Sequence, residues 1–144
     1  MRLSGGFRLQ PVTRNSEIVA QLVNAFNERD FHRAERLFAA DYVNRAPLPV
    51  ARYKPESLGT SGMRGLVEVM PDARSEILQL VDKGDLVVLH TLVRGSTADG
   101  DIAYEFVNVF RVADGKICES WSLVDALNLM RELGLEPAQA RTDA

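Results

Sequence analysis

The sequence predicts an α+β fold, in which a mainly antiparallel sheet from the second half of the chain is covered on one face by helices from the first half. Two patterns and one bound carry that expectation. Leu86 to Arg94, Ile102 to Val112 and Ile117 to Asp125 alternate apolar and polar residues, and they are punctuated by Gly84-Asp85, Ala98-Asp99-Gly100-Asp101 and Ala113-Asp114-Gly115-Lys116. A period of two between turn residues marks strands joined by tight hairpins. Upstream, Ser16 to Ala40 places its apolar residues at helical spacing. The bound is size: 144 residues with 46% apolar content make one domain, enough for a single core or for a smaller core wrapped round a cavity.

Taken in order, residues 1–13 contain Gly5, Gly6 and Pro11 without an apolar run, which predicts a flexible N-terminal arm and no signal peptide. The domain itself is expected over residues 14–135. Asn15 or Ser16 can cap a first helix with the stripe Ile18, Val19, Leu22, Val23 and Phe26, and Glu17 suits its first turn. Arg29 and Asp30 break that helix, and a second short one follows through Phe31, Ala34, Leu37 and Phe38. Pro47, Pro49 and Pro55 forbid regular helix between Ala46 and Ser57, so a loop folded over a cavity mouth is expected there. Thr60 to Met70 reads as a third helix stopped by Pro71, and Ala73 to Val81 as the first long strand, turned by Lys83-Gly84-Asp85. After the three later strands, a short helix from Ala126 to Leu133 ends at Gly134, and residues 136–144 read as a disordered tail.

Composition excludes several functions. A net charge of -3 speaks against a nucleic-acid partner, which calls for a basic stripe. No run of 18 or more apolar residues is present to span a membrane. One cysteine, Cys118, rules out an internal disulfide framework and suits the cytoplasm. Its mid-strand position fits an ordinary half-buried residue better than a nucleophile. With His32 and His90 far apart and no Cys or His cluster, neither a metal nor a cofactor is expected.

What remains unusual is polar chemistry on strand faces that should be buried: His90, Asn108 and Asp125. Symmetric pairing across Ala113 to Lys116 would set Val112 opposite Ile117, Phe110 opposite Glu119, Asn108 opposite Trp121, Phe106 opposite Leu123 and Tyr104 opposite Asp125. One face would then carry Tyr104, Phe106, Asn108, Phe110, Trp121, Leu123 and Asp125, an aromatic wall with polar groups set in it. Such a wall suits a small apolar or aromatic ligand. His90 joins this face in only one of two registers of the preceding hairpin.

Several motifs, in order, carry a family resemblance: Tyr42-Val43-Asn44-Arg45-Ala46-Pro47, Met70-Pro71-Asp72, Gly84-Asp85-Leu86-Val87-Val88, Phe110-Arg111-Val112-Ala113-Asp114-Gly115-Lys116-Ile117, and Glu119-Ser120-Trp121 with Asp125 four residues on. Over residues 16–135 the chain resembles the SnoaL-like polyketide cyclases of the nuclear transport factor 2-like superfamily. That resemblance implies a cystatin-like cone, a strongly curved sheet wrapped round a deep pocket, and dimerisation through the outer face of the sheet. It also implies metal-free intramolecular aldol ring closure, with Asp125 matching the acid/base carboxylate. Chemistry fits, because an aldol closure needs a base and a donor for the developing oxyanion. Asp125 would take the proton; Asn108, Tyr104 or protonated His90 would polarise the oxygen, and Tyr42 and Arg45 join the candidate substrate contacts. Two acid/base positions of the relatives are changed here, to Arg45-Ala46-Pro47 and to Ser120, and Ala46 stands where ketosteroid isomerases carry their base.

Ordinary readings stand beside these. Asp125 is a favoured N-cap for the helix at Ala126, and His90 suits a satisfied core position. Arg45 and Arg94 fit surface ion pairs or an anionic substrate group. Two classes follow: a cofactor-independent cyclase or epoxide-opening relative using Asp125, or a non-catalytic protein that binds a small ligand in the same cone. A buried and aligned Asp125, His90 and Asn108 would mark the enzyme. A solvent-facing His90, or an Asp125 turned into its cap, would mark the binder.

Overall fold

The computed structural model describes residues 14–46 and 59–134. The expected arm, proline loop and tail lie outside those residues. Helix α1 spans Arg14–Asn27, α2 Phe31–Glu35 and α3 Ser61–Val69; strands β1 Phe38–Ala46, β2 Arg74–Lys83, β3 Leu86–Thr97, β4 Gly100–Ala113 and β5 Lys116–Leu123 follow the order β1-β5-β4-β3-β2, and α4 spans Ala126–Glu132. All neighbouring strands are antiparallel except β1 and β5, which run parallel. The sheet is therefore mixed, curved and open.

Helix α1 buries the expected stripe. Ile18, Val19, Leu22 and Val23 pack against Val87, Leu89, Phe110, Val112 and Ile117 from the concave face of the sheet. A second cluster joins Phe26 to Met70, Val93, Phe106 and Leu129 nearer α3 and α4. Met70 is 1% exposed, and it lies against Gly95 of β3 so closely that a Cβ there would stand 2.3 Å from its sulfur.

Neither Asn15 nor Ser16 caps α1, which begins at Arg14. Both instead reach the β2–β3 hairpin, Asn15 Nδ2 donating to Gly84 O at 3.0 Å and Ser16 Oγ to Asp82 at 2.8 Å. At the other end of α1, the amide of Asn27 brackets Ser75, donating to its carbonyl and accepting from its N–H, both at 2.8 Å. Strand β2 is the sheet edge, so the two Asn27 bonds occupy backbone groups of Ser75 that would otherwise be free to pair with another strand. Arg29 ends the helix at φ 60°, and Asp30 then caps α2 by accepting from Arg33 N.

Helix α2 stops at Glu35, short of the expected Phe38. Leu37 accepts from Ile117 N at 2.8 Å, and Phe38 opens β1. Sequence reading missed this strand, because Ala34, Leu37 and Phe38 continue a helical spacing and the strand's partner is β5, far along the chain.

Candidate functional site

A cavity of about 190 Å³ lies between α1, α3 and the concave face of the sheet. Its apolar wall includes Phe26, Phe38, Leu66, Leu89, Phe106 and Phe110. Into this wall β1, β4 and β5 set a polar strip. The Tyr42 hydroxyl hydrogen-bonds Ser120 Oγ, and Ser122 Oγ donates to Asn108 Oδ1 at 2.6 Å. Burial pushes the Tyr42 phenol up from its ordinary value, the Ser120 hydrogen bond opposing more weakly, so it stays protonated at neutral pH. Phe38 and Tyr42 meet edge to face at 4.7 Å, and the Phe38 ring lies flat against Gly59, where a Cβ would come within 2.4 Å.

The strip exists because of a β-bulge. Val112 pairs with Ile117 as expected, but Arg111 pairs with Glu119, leaving Cys118 as an extra residue on β5. Beyond it the register is Phe110 to Ser120, Val109 to Trp121, Asn108 to Ser122 and Val107 to Leu123. A one-residue shift exchanges the two faces of a strand. The expected symmetric pairing is thus corrected: Ser120 and Ser122 enter the cavity beside Asn108, while Trp121 and Leu123 turn to the outer face. Leu123 is 61% exposed there.

Other expected site residues also lie apart from the cavity. His90 pairs with Val107 and Gln79 on the outer face, where its Nδ1 is 2.9 Å from Gln79 Nε2 and its Nε2 is 3.2 Å from Glu105. The Asp125 carboxylate caps α4, accepting from Asn128 N at 3.4 Å and Asn128 Nδ2 at 2.8 Å, and the residue is exposed. Arg45 pairs with Glu119 at 2.9 Å, in a line of charges that continues to Arg111 and Asp85. Tyr104 lies under α4, where burial first, then its hydrogen bond to Glu132, pushes its phenol up.

Of the expected set, Tyr42, Phe106, Asn108 and Phe110 meet in the cavity. Sequence reading missed Ser120 and Ser122 as lining, and no local signal marks the bulge that brings them there. Tyr42 is the only ionisable side chain in the described lining. The arrangement can desolvate an apolar ring and offer hydrogen bonds to oxygens on it.

A family model described as the SnoaL-like domain matches residues 19–120. No curated protein matches the chain. Among solved structures, wild-type IdmH, proposed to be a polyketide cyclase, from Streptomyces antibioticus, is 25% identical with a TM-score of 0.70, covering 85% of this chain and 99% of its own. An IdmH variant with a truncated 96–104 loop is 27% identical with a TM-score of 0.70, covering 83% and 99%. A proposed polyketide cyclase from Bacillus cereus, 24% identical with a TM-score of 0.71, covers 85% and 81% and shares the fold.

Proposed function

The chain belongs to the SnoaL-like domain family, and from that premise we propose that it takes an apolar, ring-bearing carbonyl compound of the polyketide kind into the cavity and holds it by oxygen at Tyr42, Ser120, Asn108 and Ser122. One observation carries this reading: a largely apolar cavity with a convergent polar strip, in which the only ionisable group of the described lining is a phenol kept protonated. Such a lining supplies donors without a general base, so the geometry favours binding over base-driven chemistry. The volume supports a compact ligand or the leading ring of a longer one, since a cavity of about 150 Å³ admits benzene.

Aldol ring closure with Asp125 as base is the second reading, supported by the likeness to proposed polyketide cyclases. It requires Asp125 to leave its cap on α4 and reach a substrate from outside the described lining. The epoxide-opening variant, with Asp125 and Arg94, requires the same departure.

Thermal shift and turnover with aromatic polyketide-like carbonyl compounds separate these readings. A compound at about one hundred times its dissociation constant should raise Tm by on the order of 10 °C. On the binding reading Asp125→Asn keeps that rise, Asn108→Ala loses much of it, and no product forms. Product made by the parent but not by Asp125→Asn would replace this reading with the cyclase.

The outer face supports a homodimer as the proposed assembly. Val43 and Leu123 are exposed there beside half-buried Val107, Val109 and Trp121, an apolar surface of the kind an isologous interface covers. The free Cys118 suits a reducing compartment, and the cytoplasm remains the proposed location.

A further inference from the structure

Thr91 interrupts an apolar row. On β3, Val87, Leu89 and Val93 face the core at 0%, 4% and 7% exposure, and Thr91 stands among them at 3%. Its partners across the ladder are Ile77 on β2 and Phe106 on β4. Valine, branched at the same carbon, would occupy this position without burying a hydroxyl. A buried hydroxyl ordinarily has a partner, yet that of Thr91 has none among the described residues. No fully enclosed side-chain oxygen or nitrogen of those residues lacks a hydrogen bond, so the little surface that Thr91 keeps includes its hydroxyl oxygen. What that oxygen opens onto is the cavity.

Asn108 carries the complementary group. Ser122, directly opposite it on β5, donates to its Oδ1 at 2.6 Å. That bond turns the amide oxygen toward β5 and leaves Nδ2 on the side of β3, with no acceptor among the described residues. On that side Asn108 pairs with Leu89, and Thr91 is its diagonal neighbour on the same face. Diagonal residues stand about 7–8 Å apart, too far for two short side chains to bond and near enough for both to reach one atom set between them.

Resting on the cavity reading above, we propose that Thr91 is a binding residue, whose hydroxyl and the Asn108 Nδ2 hold one ligand oxygen between them. A hydroxyl without a protein partner lowers the stability of the free protein, and a ligand oxygen returns that loss as affinity. Thr91 thereby selects an oxygen-bearing ligand over a hydrocarbon of the same shape.

The test joins thermal unfolding to isothermal titration of the full chain, with 1-tetralone and tetralin as probes, which share a bicyclic skeleton and differ by one carbonyl oxygen. Thr91→Val should raise the Tm of the free protein by about 2–4 °C. It should weaken 1-tetralone about fivefold and leave tetralin unchanged. Thr91→Ser, which keeps the hydroxyl, should retain most of the parent's preference for 1-tetralone. A Thr91→Val protein that melts below the parent, binds 1-tetralone as the parent does, or loses both probes in parallel overturns the assignment of Thr91 while the cavity reading stands. A parent that melts cooperatively and binds neither probe, or both alike, overturns the two together.

Discussion

Asp125 accepts from the backbone and side chain of Asn128 at the start of α4, and that alone gives its carboxylate a role. Asp125→Ala should lower stability by about 1 kcal/mol through loss of the cap, read as a shift in the urea midpoint, and should leave cavity affinity unchanged. A comparable loss of affinity would instead bring Asp125 into the site. Glu119 is a carboxylate of a different kind. Its hydrogen bond to Arg45 leads the causes that hold its pKa below the ordinary 4.5, with Arg111 adding to them against desolvation. A depressed carboxylate contributes stability that is present above its unfolded value and lost as pH falls through the lower folded value. Glu119→Gln should therefore be less stable than the parent near pH 6, and the gap should close as unfolding is followed below about pH 4.

At the scale of elements, the α1–β2 contact is made by polar side chains that sequence reading assigns to capping or to nothing. Asn27 satisfies both backbone groups of Ser75 on the edge strand, so Asn27→Ala should cost about 1–3 kcal/mol in denaturant unfolding, where a surface asparagine would cost almost nothing. In the opposite sense, Gly95→Ala should destabilise through crowding of the buried Met70, by about 1–3 kcal/mol. Helices α1, α3 and α4 and the four antiparallel strands are legible locally, because each carries its own period and its own turn residues. Strand β1 is not, since Phe38 to Ala46 is ordered by a parallel partner remote in sequence. The site is half legible for a related reason. Tyr42, Phe106, Asn108 and Phe110 stand out as aromatic or amide positions in motifs or strands, whereas the Cys118 bulge, which decides whether serines or Trp121 face inward, has no signature in neighbouring residues.

For the whole molecule, the curved sheet divides two chemistries: a concave face with the cavity, and a convex face with an apolar patch and the Arg45–Glu119–Arg111–Asp85 line. If the proposed homodimer covers the convex face, Leu123→Lys should shift sedimentation from dimer toward monomer at micromolar concentration without altering the affinity of the cavity, as Leu123 lies outside its lining. A parent that sediments as a monomer throughout would remove the dimer. The bulge at Cys118 joins the two faces in one further respect. It makes the inside and outside of β5 a matter of parity: with an odd residue between Ile117 and Glu119, Ser120 counts as inward and Trp121 as outward. Were Cys118 instead drawn into regular pairing opposite Arg111, the count would invert for the remainder of the strand, sending an indole toward the cavity and two hydroxyls to solvent. Removing Cys118 altogether leaves Ile117, Glu119 and Ser120 in plain alternation with Ser120 still inward, so what this stretch holds is the pairing of Arg111 with Glu119 and not the length of the strand.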